Sequence, residues 1–296
     1  MTSHRRIFII FNPASGRKRT RFFHQILDAL ARTGCTFTIS ETLERGHAKT
    51  LACQVDPLAY DVIAVAGGDG TINEVINGLQ GIQIPLAIIP LGTANVVARE
   101  IGQSFQPHKI AQTLAFGQAR PVTVGLANNH RFLMMAGTGF DANVVAGVSL
   151  VIKKHTGPLA YVLEAIRQAL FGNPSMCEVS IDGKCRQATS VIVCNGSRYG
   201  GPFVATPDAS FASNEFQIIL FRGHGFFSLL RYGVALIFNR LNLWSDVDIL
   251  SGREIHISGV KNQPIQTDGE IMTVLPVHLS LESGLLSVIY PPEASP

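Results

Sequence analysis

A run of three glycines around one carboxylate, Gly67-Gly68-Asp69-Gly70-Thr71, lies between a strand-length apolar stretch, residues 62–66, and a helical pattern that leaves from Thr71. A strand that ends in glycine and turns at once into a helix implies a βα unit, and with it a parallel sheet flanked by helices. The turn also suits an anion. Glycine lets the backbone approach a phosphate with no Cβ in the way, and the helix start offers unpaired N–H groups and the positive end of its dipole.

The unit recurs along the first part of the chain. Residues 7–11 read as a buried strand and residues 37–39, 62–66 and 86–89 as further strands, and residues 21–32, 48–54, 71–79 and 94–101 carry helical spacing, for example Phe22, Phe23, Ile26, Leu27 and Leu30. After Gly117 short alternating runs with hairpin signals take over. Residues 122–127 and 132–135 flank Asn128-Asn129, residues 178–181 and 186–193 flank Asp182-Gly183, and residues 247–250 and 254–257 flank Ser251-Gly252. Further strands are expected over 216–221, 277–281 and 285–290, and helical insertions over 159–170 and 226–238. The expected fold is α/β plus β: a three-layer α/β domain over residues 1–118 and an antiparallel β-sandwich domain over 119–296.

Charge and cysteine content narrow the function classes. A net charge of +3 with 15% charged residues carries no basic stripe of the kind that reads nucleic acid, and the one dense cluster, Arg17-Lys18-Arg19 with Arg21, adjoins a glycine turn. Cys35, Cys53, Cys177, Cys185 and Cys194 are odd in number and lack CxxC spacing, which points to reduced thiols and a cytoplasmic setting. The apolar run at 7–11 is too short for a secretory leader, and Arg231 and Arg240 interrupt the most apolar long stretch, so no transmembrane segment is expected.

Two more turns resemble the first in chemistry. Asn12-Pro13-Ala14-Ser15-Gly16 follows the first strand and Pro90-Leu91-Gly92-Thr93-Ala94-Asn95 the fourth, each coupling glycine to a short hydroxyl or amide side chain able to bond phosphate or ribose. Ligands of such sheets gather at the carboxyl ends of the strands, where all three turns fall. Neither a Walker A lysine nor Gly-x-Gly-x-x-Gly is present.

Asn-Pro-x-Ser-Gly, Gly-Gly-Asp-Gly-Thr with Asn73-Glu74, and Pro-Leu-Gly-Thr-Ala-Asn resemble the bacterial diacylglycerol kinase family of soluble lipid kinases, relatives of sphingosine and ceramide kinases. The likeness continues in order through Gly137-Thr138-Gly139-Phe140-Asp141-Ala142, Asn195-Gly196 with Gly200-Gly201, Pro207-x-Ala209 and Thr267-Asp268-Gly269-Glu270. It implies a kinase-type α/β domain, which the strand near 285–290 is a candidate to complete, and a β-sandwich domain with the active site in the cleft between them, and transfer of the ATP γ-phosphoryl group to a lipid alcohol such as diacylglycerol. ATP would be held by Asn12, Pro13, Ser15, Gly16, Thr42, Gly67, Gly68, Asp69, Gly70, Thr71, Asn73 and Thr93, with Asp69 acting with Mg²⁺ on the phosphates. Glu270 would be the base, and Asp268 its orienting partner or substitute. A carboxylate in reach of the attacking hydroxyl is what phosphoryl transfer to an alcohol requires.

Two departures stand out. Val96 follows Asn95 where many relatives carry Asp, and Ala212-Ser213-Asn214-Glu215 replaces an Asp-Asp-Gly loop that binds a structural Mg²⁺ in relatives, so no second metal site is expected. Phe226-Phe227 and Leu229-Leu230, with Trp244 nearby, are candidates for transient contact with a membrane surface that admits a lipid acceptor, and they read at least as well as a helix packed on the sandwich; the oligomeric state stays open, a homodimer included. Two alternatives remain: a kinase of a soluble alcohol, as in NAD kinases, and a non-catalytic lipid-binding regulator on a kinase scaffold.

Overall fold

A computed structural model of the chain describes residues 4–15, 19–148, 158–172 and 175–292. The chain divides into two compact units. The first comprises Met1–Val122 and Ser283–Pro296, the second Thr123–Glu282.

In the first unit, β1 (Arg6–Phe11), α1 (Thr20–Ala31), β2 (Thr36–Glu41), α2 (His47–Cys53), β3 (Val62–Gly67), α3 (Asp69–Gly78), β4 (Leu86–Pro90), α4 (Val96–Glu100) and α5 (Pro107–Phe116) follow in order. The strands are parallel in the order β2-β1-β3-β4. Their two-residue period sorts side chains to opposite faces. Ile7, Ile9, Phe11, Val62, Ala64, Ala66, Ala87 and Ile89 pack against Phe23, Ile26 and Leu30 of α1 and Ile110 and Leu114 of α5. The alternate residues Ile10, Ile63, Val65, Leu86 and Ile88 are equally buried. Burial on both faces explains why β1, β3 and β4 read as continuous apolar runs, whereas β2, at the edge of the sheet, is largely exposed. α2 and α3 pack so closely that a Cβ on Gly78 would lie 2.4 Å from the Lys49 carbonyl oxygen.

The first unit departs from the sequence reading in its helices. α5 is an additional helix, opened by Pro107 at its first turn and buried through Ile110, Ala111 and Leu114. α4 is shorter than the 94–101 pattern because Asn95 adopts φ 49°, with its side-chain amide donating to the Gly92 carbonyl at 2.8 Å.

β5 (Gln118–Ala127) carries the chain into the second unit, where β6 (His130–Phe132), β7 (Met135–Thr138), α6 (Phe140–Gly147) and α7 (Pro158–Phe171) precede β8 (Cys177–Ile181), β9 (Lys184–Ala188), β10 (Ser190–Cys194), β11 (Arg198–Tyr199), β12 (Phe203–Val204) and β13 (Phe216–Phe221). Then come α8 (Phe226–Ile237), β14 (Val247–Gly252), β15 (Ile255–Ser258), β16 (Pro264–Thr267), β17 (Glu270–Val274) and β18 (Val277–Tyr290). One antiparallel sheet runs β14-β13-β10-β7-β16-β17; a second holds β15 between β18 and β8, with β9 beyond. A single core mixes residues of both sheets, Val191, Phe216, Ile218 and Ile265 from one with Val179, Ile255, Val277 and Leu279 from the other, which makes the unit a β-sandwich. Phe132 stacks on Phe216 with ring centroids 5.9 Å apart.

β8 and β9 pair across Asp182-Gly183 as expected, but three expectations for the strands come out differently. The run 186–193 is not one strand: it breaks at Thr189, which donates both its N–H and its hydroxyl to the Phe221 carbonyl, and β9 and β10 fall in different sheets. Ser251-Gly252 does not close a hairpin either, because β14 pairs with β13 while β15 pairs with β18 and β8. The Asp182 carboxylate accepts the Arg253 and Glu254 N–H groups and fixes that crossover. Finally, 277–281 and 285–290 form one strand. The earlier part of β18 pairs with β15, and Val288 pairs in parallel with Leu86 of β4, adding Ile289 to the core of the first unit.

Candidate active site

The turns after β1, β3 and β4 lie at the carboxyl ends of adjacent strands and are bonded to one another. The Asn12 amide donates to the Thr71 hydroxyl at 2.8 Å, while its carbonyl oxygen accepts the Ala14 and Ser15 N–H groups and so folds the first turn. The Leu91 and Gly92 N–H groups both donate to the Gly67 carbonyl, at 2.9 and 3.2 Å. Asp69 opens α3, and its Oδ1 accepts the Val97 N–H at 3.1 Å, so one carboxylate serves the starts of α3 and α4.

Gly92 is required here by space. A Cβ on Gly92 would sit 2.6 Å from the Gly68 Cα and 2.8 Å from Asn95 Oδ1. The backbones of the β3 and β4 turns therefore meet directly, with Ser15 Oγ 4.0 Å from the position of a Gly68 Cβ. Gly68, Asp69 and Gly70 stay partly exposed and Thr93 is exposed, whereas Thr71 is buried. Thr42 is buried beside the end of β1, its N–H donating to the Phe11 carbonyl at 2.8 Å. Asn73 and Pro13 are half-buried, and Gly16, with Arg17 and Lys18, lies outside the described residues. The site thus offers backbone N–H groups, hydroxyls and one carboxylate around a helix start, a donor set suited to a polyphosphate.

In the second unit, Asp268 and Gly269 form the two-residue turn between β16 and β17, both with positive φ, 49° and 84°, the geometry of a primed hairpin turn. The Asp268 carboxylate is engaged by backbone: Oδ2 accepts the Leu133 N–H at 2.9 Å, and Oδ1 those of Met134 and Met135 at 2.8 and 3.1 Å. Glu270, half-buried, is the next residue and opens β17.

Comparison with known proteins draws these features together. The diacylglycerol kinase catalytic domain matches residues 6–127, and the YegS C-terminal NAD kinase beta sandwich-like domain matches residues 134–290. A diacylglycerol kinase of Bacillus subtilis (strain 168) is 30% identical over 280 residues, covering 92% of each chain. The chain belongs to the diacylglycerol kinase family. A diacylglycerol kinase of Staphylococcus carnosus is 25% identical over 283 residues, covering 93% of this chain and 91% of the other. The crystal structure of a candidate diacylglycerol kinase from Bacillus anthracis str. Sterne superposes with a TM-score of 0.84 at 28% identity, covering 100% of this chain and 98% of that one.

In this member of the diacylglycerol kinase family, the loop that departs from the Asp-Asp-Gly pattern is closed by hydroxyls. Ser210 Oγ accepts the Ala212 N–H, and Ser213 Oγ accepts the Glu215 N–H while donating to the Glu215 carbonyl. The Glu215 carboxylate lies 3.6 Å from the Arg253 guanidinium. Among the described residues no cluster of three or more His, Cys, Asp or Glu side chains is placed to hold a metal ion.

Sequence reasoning missed a buried polar cluster beside the second-unit turn. Asp141, at the start of α6, accepts the Tyr199 hydroxyl on Oδ1 and the Gln266 amide on Oδ2, the latter at 2.7 Å. Burial pushes the Asp141 carboxyl up from its ordinary value of 3.8, against the pull of Tyr199 and Gln266; burial and the adjacent Asp141 push the Tyr199 phenol well up too. An acid raised on folding contributes stability below its unfolded value, which is lost as pH rises through the folded one. The urea midpoint of Asp141→Asn should therefore gain on that of the wild type as pH rises above 3.8; parallel curves would remove Asp141 as the source.

Proposed function

We propose that this protein is an ATP- and Mg²⁺-dependent lipid kinase that moves the γ-phosphoryl group of ATP to the hydroxyl of a lipid alcohol, with diacylglycerol as the first candidate. The observation that carries the reading is the joining of the β1, β3 and β4 turns by the Asn12 to Thr71, Asp69 to Val97 and Gly92 to Gly67 bonds, in a chain of this kinase family. Asn12, Pro13, Ser15, Gly16, Thr42, Gly67, Gly68, Asp69, Gly70, Thr71, Asn73 and Thr93 are assigned to the nucleotide.

Mg²⁺ is bound in kinases by one or two carboxylates together with the phosphates, a donor set that Asp69 with ATP satisfies even with Val96 in place of a second acid. When bound it neutralises charge on the transferring group. Glu270 takes the proton of the attacking hydroxyl as the oxygen to phosphorus bond forms and ADP leaves. Asp268, whose two oxygens accept three backbone N–H groups, fits the orienting role better than that of a base.

A lipid acceptor is favoured by the outer face of α8. Tyr232 and Ala235 point inwards, while Phe227 (83% exposed), Leu230, Val234 and Ile237 recur at helical spacing on the solvent side. Such a stripe suits shallow insertion into a bilayer, and we assign it to transient membrane contact. Among the described residues no helix is long and apolar enough to cross a membrane. The test is incubation with labelled ATP, Mg²⁺ and a total lipid extract beside NAD and other soluble alcohols. Label is expected in a lipid, diacylglycerol first. Label in NAD alone would favour a soluble acceptor, and lipid binding without turnover would favour a non-catalytic regulator.

A further inference from the structure

The Asp268-Gly269 turn carries more support than a hairpin needs. Asp-Gly alone is a strong turn former, yet here both residues are also held from outside the turn. Asp268 is fastened to the β6–β7 link through three N–H groups, and the Gly269 N–H donates to Gln266 Oε1 at 2.8 Å.

Gln266 is 2% exposed, and both ends of its amide are used. Nε2 donates to Asp141 Oδ2, and the other Asp141 oxygen accepts the Tyr199 hydroxyl. An amide has a donor end and an acceptor end of nearly equal shape, so its orientation is set by its partners. An acceptor at Asp141 is what turns Oε1 towards Gly269. The surroundings fit this arrangement. A register shift between Ile265 and Gln266 re-aims the strand at this point, and a Cβ on Gly137 would lie 2.3 Å from Asp141 Oδ2 and 3.1 Å from Gln266 Nε2. A buried carboxylate is costly, and an apolar trio of similar volume would pack as well.

We propose that Tyr199, Asp141 and Gln266 form a positioning relay that fixes the Gly269 N–H, and through it the direction in which Glu270 presents its carboxylate. None of the three is assigned a contact with ATP or the acceptor. The proposal rests on the reading of Glu270 as the base.

The experiment measures kcat and the KM for ATP of purified full-length variants, with Glu270→Gln as reference. Gln266→Met is expected to lower kcat by roughly ten- to a hundredfold, the scale of a displacement of about 1 Å in a catalytic group, with the KM for ATP within about twofold. Asp141→Leu should lose as much, whereas Asp141→Asn, whose oxygen can still accept the Gln266 N–H, should recover most of the rate. Tyr199→Phe, which keeps its ring and loses only the hydroxyl, serves should the core variants fail to fold, with an expected loss of roughly three- to tenfold. Adding Gln266→Met to Glu270→Gln should lower the residual rate no further, since both act through one group.

A folded Gln266→Met with wild-type kcat would overturn the proposal, as would a loss that multiplies in full on top of Glu270→Gln. Full activity of Glu270→Gln by itself has a different signature: it removes the base assignment, and the relay falls with it.

Discussion

Glu270→Gln should reduce ATP-dependent lipid phosphorylation by about a thousandfold while leaving the fold intact. Removal of a general base typically costs between 10² and 10⁴ in rate, and the amide is isosteric with the carboxylate. Glu270 is half-buried at the first position of β17, opposite Thr267, and its neighbours Asp268 and Gly269 are fixed independently through the Leu133, Met134, Met135 and Gln266 bonds. The comparison to make is labelled-lipid turnover against thermal unfolding of the same preparations. An unchanged melting transition with lost turnover is the expected pair. Retained turnover would move the proton-accepting role away from Glu270.

The second large effect is expected at Gly92. A methyl group there must displace the Gly68 backbone 2.6 Å away or the Asn95 amide 2.8 Å away, and neither is the loose end of a flexible side chain. Overpacking of a tight site costs about 1–3 kcal/mol, and Gly92→Ala should fall at the upper end because backbone meets backbone. The same shift separates the β3 and β4 turns, so ATP affinity should fall by at least about tenfold, read by calorimetric titration beside a urea melt. Gly233→Ala supplies the contrast. Gly233 is in α8 with nothing within 4 Å of an added Cβ, and alanine in a helix interior is favoured over glycine by about 1 kcal/mol. Equal destabilisation by the two substitutions would show that the Gly68 to Gly92 approach is not tight in solution.

The parallel strands were the most legible part of the chain, and the reason is physical. Strands buried on both faces are continuous apolar runs, and glycine marked each turn at their carboxyl ends. α5 is marked in the sequence too, by Pro107 followed by Ile110 and Leu114 at helical spacing. α6 is not, because Phe140, Ala142, Val144, Val145 and Ala146 surround the helix instead of marking one face. In the sandwich, alternation and turn signals identified the β5–β6 and β8–β9 hairpins but not the pairings across the sheets. Ser251-Gly252 reads as a hairpin locally, and only Asp182, far away in sequence, reveals the crossover to the other sheet. The three glycine turns are legible because their chemistry is local. Gln266 is not, since a glutamine in a strand looks like any solvent-facing residue until Asp141 and Tyr199 arrive from distant segments to bury it.

The path of β18 has a consequence for how the molecule can be made and taken apart. The first unit draws its final strand residues from the end of the chain, with Val288 beside Leu86 and Ile289 in the core shared with α1 and α5. No single cut in the polypeptide yields both units whole. A fragment ending at Val122 would expose one side of β4, an open edge prone to pairing with other chains. During synthesis the α/β unit must likewise wait for the last strand, so the sandwich, although translated later, can be the first of the two to have all its residues available.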